Sequence, residues 1–117
     1  MALTTTARNA IATYLGGAIT HIGVGDSTDA FDAADTDLQA ATNKDRNAVD
    51  GANDVTVNVI TAEATFIDGE AEWAWAEWGT FSAGAGGTMF NRKVQALGTK
   101  GADSIWVITA TLTITVS

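Results

Sequence analysis

Cysteine and proline are both absent from the 117-residue chain, and histidine occurs once. Without cysteine there is no disulfide, no thiolate zinc site and no cysteine nucleophile. Without proline, the turns must be made by the 12 glycines and by Asx residues. Basic residues are few: 6 against 14 acidic ones, for a formal charge of −8. That balance disfavours a phosphate-lined partner and an anionic membrane surface, since both need clustered Lys and Arg. No apolar run approaches the roughly 18 to 20 residues of a membrane span. The opening MALTTTARNA has no basic-then-apolar export pattern.

What is present reads as one complete domain over residues 1–117, large enough to bury a core without staples. Residues 4–16 predict a short helix. Thr4, Thr5 and Thr6 offer N-caps, Ala7, Ile11, Tyr14 and Leu15 make an apolar stripe, and Gly16-Gly17 ends it. Ile19 to Gly25 predicts a first strand with Ile22 and Val24 on one face. Its two glycines mark a bulge or a close backbone approach. Asp26 to Asp37 is an acidic loop, with Phe31 and Leu38 as its expected anchors. Beyond it, a helical turn and a short strand are expected by Val49.

Val55 to Phe66 predicts a long strand whose apolar face changes phase at Val59-Ile60, as at a bulge or bend. Asp68-Gly69 predicts a turn that makes residues 55–79 a hairpin. Its second arm, AEWAWAEWG, holds three of the four tryptophans and is expected to be the central strand. Trp73 and Trp75 are expected on one face and Trp78 on the other. Thr88 to Leu97 predicts a strand, and residues 98–103 a turn. Ser104 to Ser117 alternates strictly from Thr109 on, with threonine on one face. The sum is a mainly β chain: an antiparallel β-sandwich, jelly-roll-like or Greek key, with one short N-terminal helix.

Candidate chemistry is thin. His21 has no positioned serine, so a Ser-His-Asp triad is not expected. Asp26, Asp29, Asp32, Asp35 and Asp37 supply oxygens of the kind calcium binds, but not at EF-hand spacing. Solvated, mutually repelling aspartates are the plainer reading. Glu63, Glu70, Glu72 and Glu77 with four tryptophans raise a sugar-binding or glycosidase reading. Against it, alanines interleaved with the indoles suit a core. Asn91-Arg92-Lys93, with Lys100 nearby, is too small for a nucleic-acid groove; pairing with the acidic loop of an identical neighbour is the expectation instead. Gly84, Gly86 and Gly87 lack the Lys-Ser/Thr of a phosphate loop. No catalytic residue and no cofactor are expected.

Three segments carry a resemblance. ITHIGVGDS, after a short helix, resembles the opening of small bacteriophage virion domains related to tail-collar fibre proteins. EWAWAEWGTFSAGAGGTMFNRKV resembles their later segment through Glu77, Gly79, Phe81, Gly87, Phe90 and Arg92, and WVITATLTITVS resembles their closing strand. The fibre-type relatives continue into long shafts, whereas this chain stops at Ser117. The resemblance therefore implies a non-enzymatic virion protein, first a capsid decoration (cement) protein. A tail, collar, baseplate or fibre-attachment component comes second, and a carbohydrate-binding module third. The implied location is the virion. The implied partners are the major capsid protein or other virion proteins and identical copies, as a trimer, with no nucleic acid and no membrane. The helix and the threonine face of the last strand are the expected contact surfaces.

Overall fold

In the computed structural model, which describes residues 2–115, one helix precedes seven strands in two antiparallel sheets. The helix α1 is Thr5–Ala18. The strands are β1 (His21–Gly25), β2 (Lys44–Ala48), β3 (Asp54–Thr56), β4 (Val59–Phe66), β5 (Ala74–Phe81), β6 (Met89–Thr99) and β7 (Trp106–Thr113). One sheet runs β2-β1-β5-β6 and the other β3-β4-β7. The tryptophan strand β5 is thus an inner strand, as expected. The chain is a β-sandwich with one short N-terminal helix.

Between the sheets lies one core. Ile22, Val24, Trp75 and Trp78 enter it from the first sheet, and Ile60, Ala62, Ala64, Phe66, Ile108 and Ala110 from the second. Trp75 is the hub. Its ring meets Phe66 edge-on at 5.1 Å and Trp106 at 5.0 Å, and its indole N–H donates to Ala71 O at 2.9 Å. Such edge-to-face pairs each add about 0.5–1.5 kcal/mol to the area they bury.

Trp75 and Trp78 both face this core, contrary to strict alternation. The alternation of β5 breaks between Trp75 and Glu77, where its pairing with β6 is also irregular. Between Trp75↔Gly98 and Glu77↔Val94, two steps along β5 match four along β6. Beyond this break Trp78 returns inward while Glu77, Gly79 and Phe81 point to the outer face.

Residues 55–66 are not one strand. The phase change at Val59 is a tight hairpin, with Thr56 opposite Val59 and Val57 at φ 56°. Asn58 secures it by exchanging bonds with Ile114, its side chain donating to Ile114 O and its carbonyl accepting from Ile114 N. Nor do residues 55–79 form a hairpin: β4 pairs with β3 and β7, and β5 with β1 and β6. The Asp68-Gly69 turn instead carries the chain from one sheet to the other, so Phe66 and Trp75 meet across the core.

Val57 is a β-branched residue in the left-handed region and is 57% exposed. That conformation costs a side chain about 1–2 kcal/mol, and glycine escapes it. We expect Val57→Gly to raise stability by about 1 kcal/mol, moving Tm up by roughly 4 °C in a thermal melt.

The helix differs in detail. Thr4 caps it by accepting from Ala7 N at 3.1 Å. It then runs through Gly16 and Gly17 to Ala18, with Ile19 as an extended cap. Gly16 is needed for contact, because a Cβ there would sit 2.2 Å from Val55 Cγ2. The buried face runs through Ala12, with Leu15 half-buried against the core. Ile11 and Tyr14, expected in the apolar stripe, are exposed. A small-residue face lets the helix lie close on β3 and β4.

The remaining differences are local. No helical turn forms between Leu38 and Lys44. β6 extends to Thr99, with Gly98 inside it at φ 102°. Of the last predicted strand, Val116 and Ser117 lie outside the described residues.

Candidate functional site

The outer face of the first sheet carries a second, polar interior. Glu77 and Arg92, on neighbouring strands, have fully buried side chains and join through Nε–H···Oε1 at 2.8 Å. The carboxylate of Glu77 also accepts three loop amides: Ser27 N at 3.2 Å, Gln39 N at 2.8 Å and Ala40 N at 2.9 Å. Arg92 uses its remaining nitrogens in the same way, on Asp35 Oδ2 at 3.3 Å and Asp29 O at 3.0 Å. A buried charge needs its lone pairs and protons met. Here they are met by the backbone and side chains of the acidic loop, so residues 26–43 are drawn down over the sheet.

Gly25 makes room for this arrangement. A Cβ there would stand 2.4 Å from Glu77 Oε2. The close backbone approach expected of this strand's glycines is thus the approach of a buried carboxylate.

A second anchor lies beside the first. Arg46 Cζ sits 3.6 Å from the centre of the Phe81 ring. Its guanidinium donates to Ala83 O at 3.0 Å, Gly86 O at 2.9 Å and Asp37 Oδ1 at 3.0 Å. It therefore ties the glycine-rich loop to the acidic loop. Lys44 Nζ also reaches Asp37, at 2.9 Å. Between these groups lies a shallow cavity of about 240 Å³, lined by Asp37, Lys44, Asp45, Arg46 and Gly84 to Gly86.

Two carboxyls here respond oppositely to their surroundings. Burial pushes Asp37 up, but hydrogen bonds from Lys44, Arg46 and the Leu38 amide together hold its pKa below 3.8. Its contribution is present above that pH and is lost as pH falls through the folded value. Burial raises Asp45 above 3.8, with the charge of Glu70 adding to it against one amide bond from Arg46 N. Ionised Asp45 therefore costs stability above its folded pKa, and the cost vanishes below 3.8. We expect Asp45→Asn to stabilise the chain at pH 7 by up to about 1 kcal/mol. Parallel urea titrations should find that gain gone at pH 3.

The five loop aspartates do not converge. Asp35 pairs with Arg92, and Asp37 with Lys44 and Arg46. Asp26 accepts from Asn43, and Asp32 accepts from Ala34 N. Among the described residues no three His, Asp or Glu side chains gather as a metal site. Phe31, expected as an anchor, is 58% exposed at the loop's outer end, while Leu38 is buried. The pairing expected between Arg92 and the acidic loop of a neighbour occurs within the chain itself.

Lys100, expected in an open turn, is 1% exposed, and its ammonium donates to Ile67 O at 2.8 Å. His21 shares a hydrogen bond with the Thr20 hydroxyl at 2.8 Å and packs beside Gly84. Glu63 lies on the outer face of the second sheet and Glu77 under the loop of the first, so the two do not face one another. Glu70 accepts from Ile67 N and the Asn47 amide. Trp75 and Trp78 are core, and Trp73 and Trp106 are half-buried against it. No stacking platform for a sugar forms from them.

The sequence did not join Glu77 to Arg92, which lies on the next strand beyond the glycine loop. The one local trace was Gly25, whose missing Cβ leaves room for the Glu77 carboxylate; Arg92 itself stands opposite Gly79, two residues along β5 from Glu77.

Fold and site together define a β-sandwich whose buried charges fix a surface loop. Comparison with family models, with curated proteins and with solved structures finds no match for the chain.

Proposed function

We propose that the chain is a non-enzymatic virion structural protein that decorates a bacteriophage capsid surface as a homo-oligomer. One observation carries this reading. Several of the residues on which the resemblance to virion domains rests lie together in space. Gly25 of the first segment lies against Glu77 of the second, Glu77 forms a buried ion pair with Arg92, and Phe81 of the same outer face lies under Arg46. Their common task is to hold an acidic loop in one shape with Phe31 outward. A loop ordered by buried charge is preorganised, so binding costs less ordering entropy. An exposed aromatic set among carboxylates suits a protein partner with a basic, partly apolar surface.

Cryo-imaging of virions that carry the chain tests this reading. Density for the sandwich at symmetric positions on the shell is the expected result. Density in the tail or collar would replace decoration by the tail reading, and absence from the particle would overturn both.

A further inference from the structure

A two-sheet sandwich has four edge strands, and here they are β2, β6, β3 and β7. An open edge offers unpaired N–H and C=O groups to any other strand, and proteins ordinarily blunt such edges with shortness, charge, bulges or cover. Three of the four are blunted. β2 carries Lys44, Asp45 and Arg46 in five residues. Its side of the sandwich is also closed by bonds to the other sheet, Asn47 Nδ2 to Thr65 O at 2.9 Å and Asp50 N to Glu63 O at 2.7 Å. β3 is three residues long. β6 departs from regular pairing twice, near Gln95 and at Phe90, and presents Lys93 outward.

β7 has none of these devices. It pairs with β4 without interruption over eight residues, from Val59↔Thr113 to Phe66↔Trp106. No strand of the described residues lies on its other side. From Ser104 to Ser117 there is no charged residue, proline or glycine. Its outward side chains are Val107, Thr109, Thr111 and Thr113, with Val107 54% exposed and the flanking Ile105 64% exposed. Toward the core, Trp106, Leu112 and Ile114 are only half-buried at this open side.

We infer that β7 is a self-pairing edge: two copies of this chain join by antiparallel pairing of β7 to β7 about a two-fold axis. The three-stranded sheets of the two copies then form one continuous sheet. Charge points to a second copy as the occupant. At a net charge of −8, two copies repel wherever acidic surface faces acidic surface, and this uncharged strand is where they meet without opposed carboxylates. Symmetry points the same way. A head-to-tail ring would need β7 to add to a different edge of the next copy, and the other three are blunted. A two-fold contact needs only one good edge, used twice. A two-fold dimer therefore takes the place of the trimer expected from the sequence. The inference rests on the homo-oligomer part of the proposed function and not on the virion part.

The test is light scattering on the purified full chain across a dilution series, with amide exchange on β7. The expected mass is twice that of the chain, with β7 amides protected when concentrated and exchanging on dilution. Thr109→Lys with Thr111→Lys sets ammonium groups opposite one another across the axis. The double variant should be monomeric, with the circular dichroism of the parent, whereas Thr13→Lys on the exposed helix face should stay dimeric. A parent chain that is monomeric throughout, or trimeric, overturns the inference. So does a dimer that survives the double substitution, or one whose β7 amides exchange alike at all concentrations. Should the double variant fail to fold, the exchange of the parent chain still decides. A monomer found on capsids would sink the pairing and leave the virion reading standing; a dimer absent from virions would do the reverse.

Discussion

Glu77→Ala should cost about 3–5 kcal/mol, a large part of the stability of a domain this size. The reason is asymmetry. Replacing both members of a buried pair by apolar groups can be nearly neutral, but removing one leaves the other charged and dry. Arg92, with its side chain fully buried, would face that cost. Three amides, of Ser27, Gln39 and Ala40, would lose their acceptor together. The loop is then expected to detach while the core between the sheets stays closed. Urea denaturation should report the lost stability, and proteolysis should find a new cleavage site between residues 26 and 43. A double replacement, Glu77→Leu with Arg92→Met, should recover more than half of the loss and still leave the loop cleavable. That outcome would separate the energetic cost of the lone charge from the positioning role of the pair.

Trp75→Ala is the second large effect, expected at about 3–5 kcal/mol from the cavity and the lost transfer energy. The indole is 3% exposed, meets two aromatic rings edge-on, and bonds Ala71 O, a residue at positive φ. Removing it deletes the contacts by which β5 of one sheet meets the paired Phe66 and Trp106 of the other. Trp73→Ala should cost less, because that ring is half-buried and its indole N–H has no partner among the described residues. Comparing the midpoints of the two variants in guanidinium checks the order.

How much of this could be read from the chain depends on the range of the interaction. The alternation from Trp106 to Ile114 and the tryptophan strand as an inner strand follow from period and composition, and both stand. The phase change at Val59-Ile60 was visible, but period alone does not separate a bulge from a hairpin. Val57 at positive φ offers no turn signal, since valine is among the residues least suited to that conformation. Strict alternation also placed Trp78 opposite Trp75, because the break in β5 accompanies an irregular pairing with β6, a strand on the far side of a loop. The acidic loop read as solvated for a similar reason. Its order comes from Glu77 and Arg92, 37 or more residues from the groups they hold. Local pattern carries no information about such pairs; the glycine at position 25 was the one local trace of the buried carboxylate.

Amide hydrogen exchange at Ser27, Gln39 and Ala40 in the isolated chain tests most directly whether buried charge fixes the acidic loop. These amides belong to a loop but donate to a buried carboxylate, so their protection should match that of β1 and β5, and Glu77→Ala should abolish it. Exchange at the rate of an open loop in the parent chain would contradict the account.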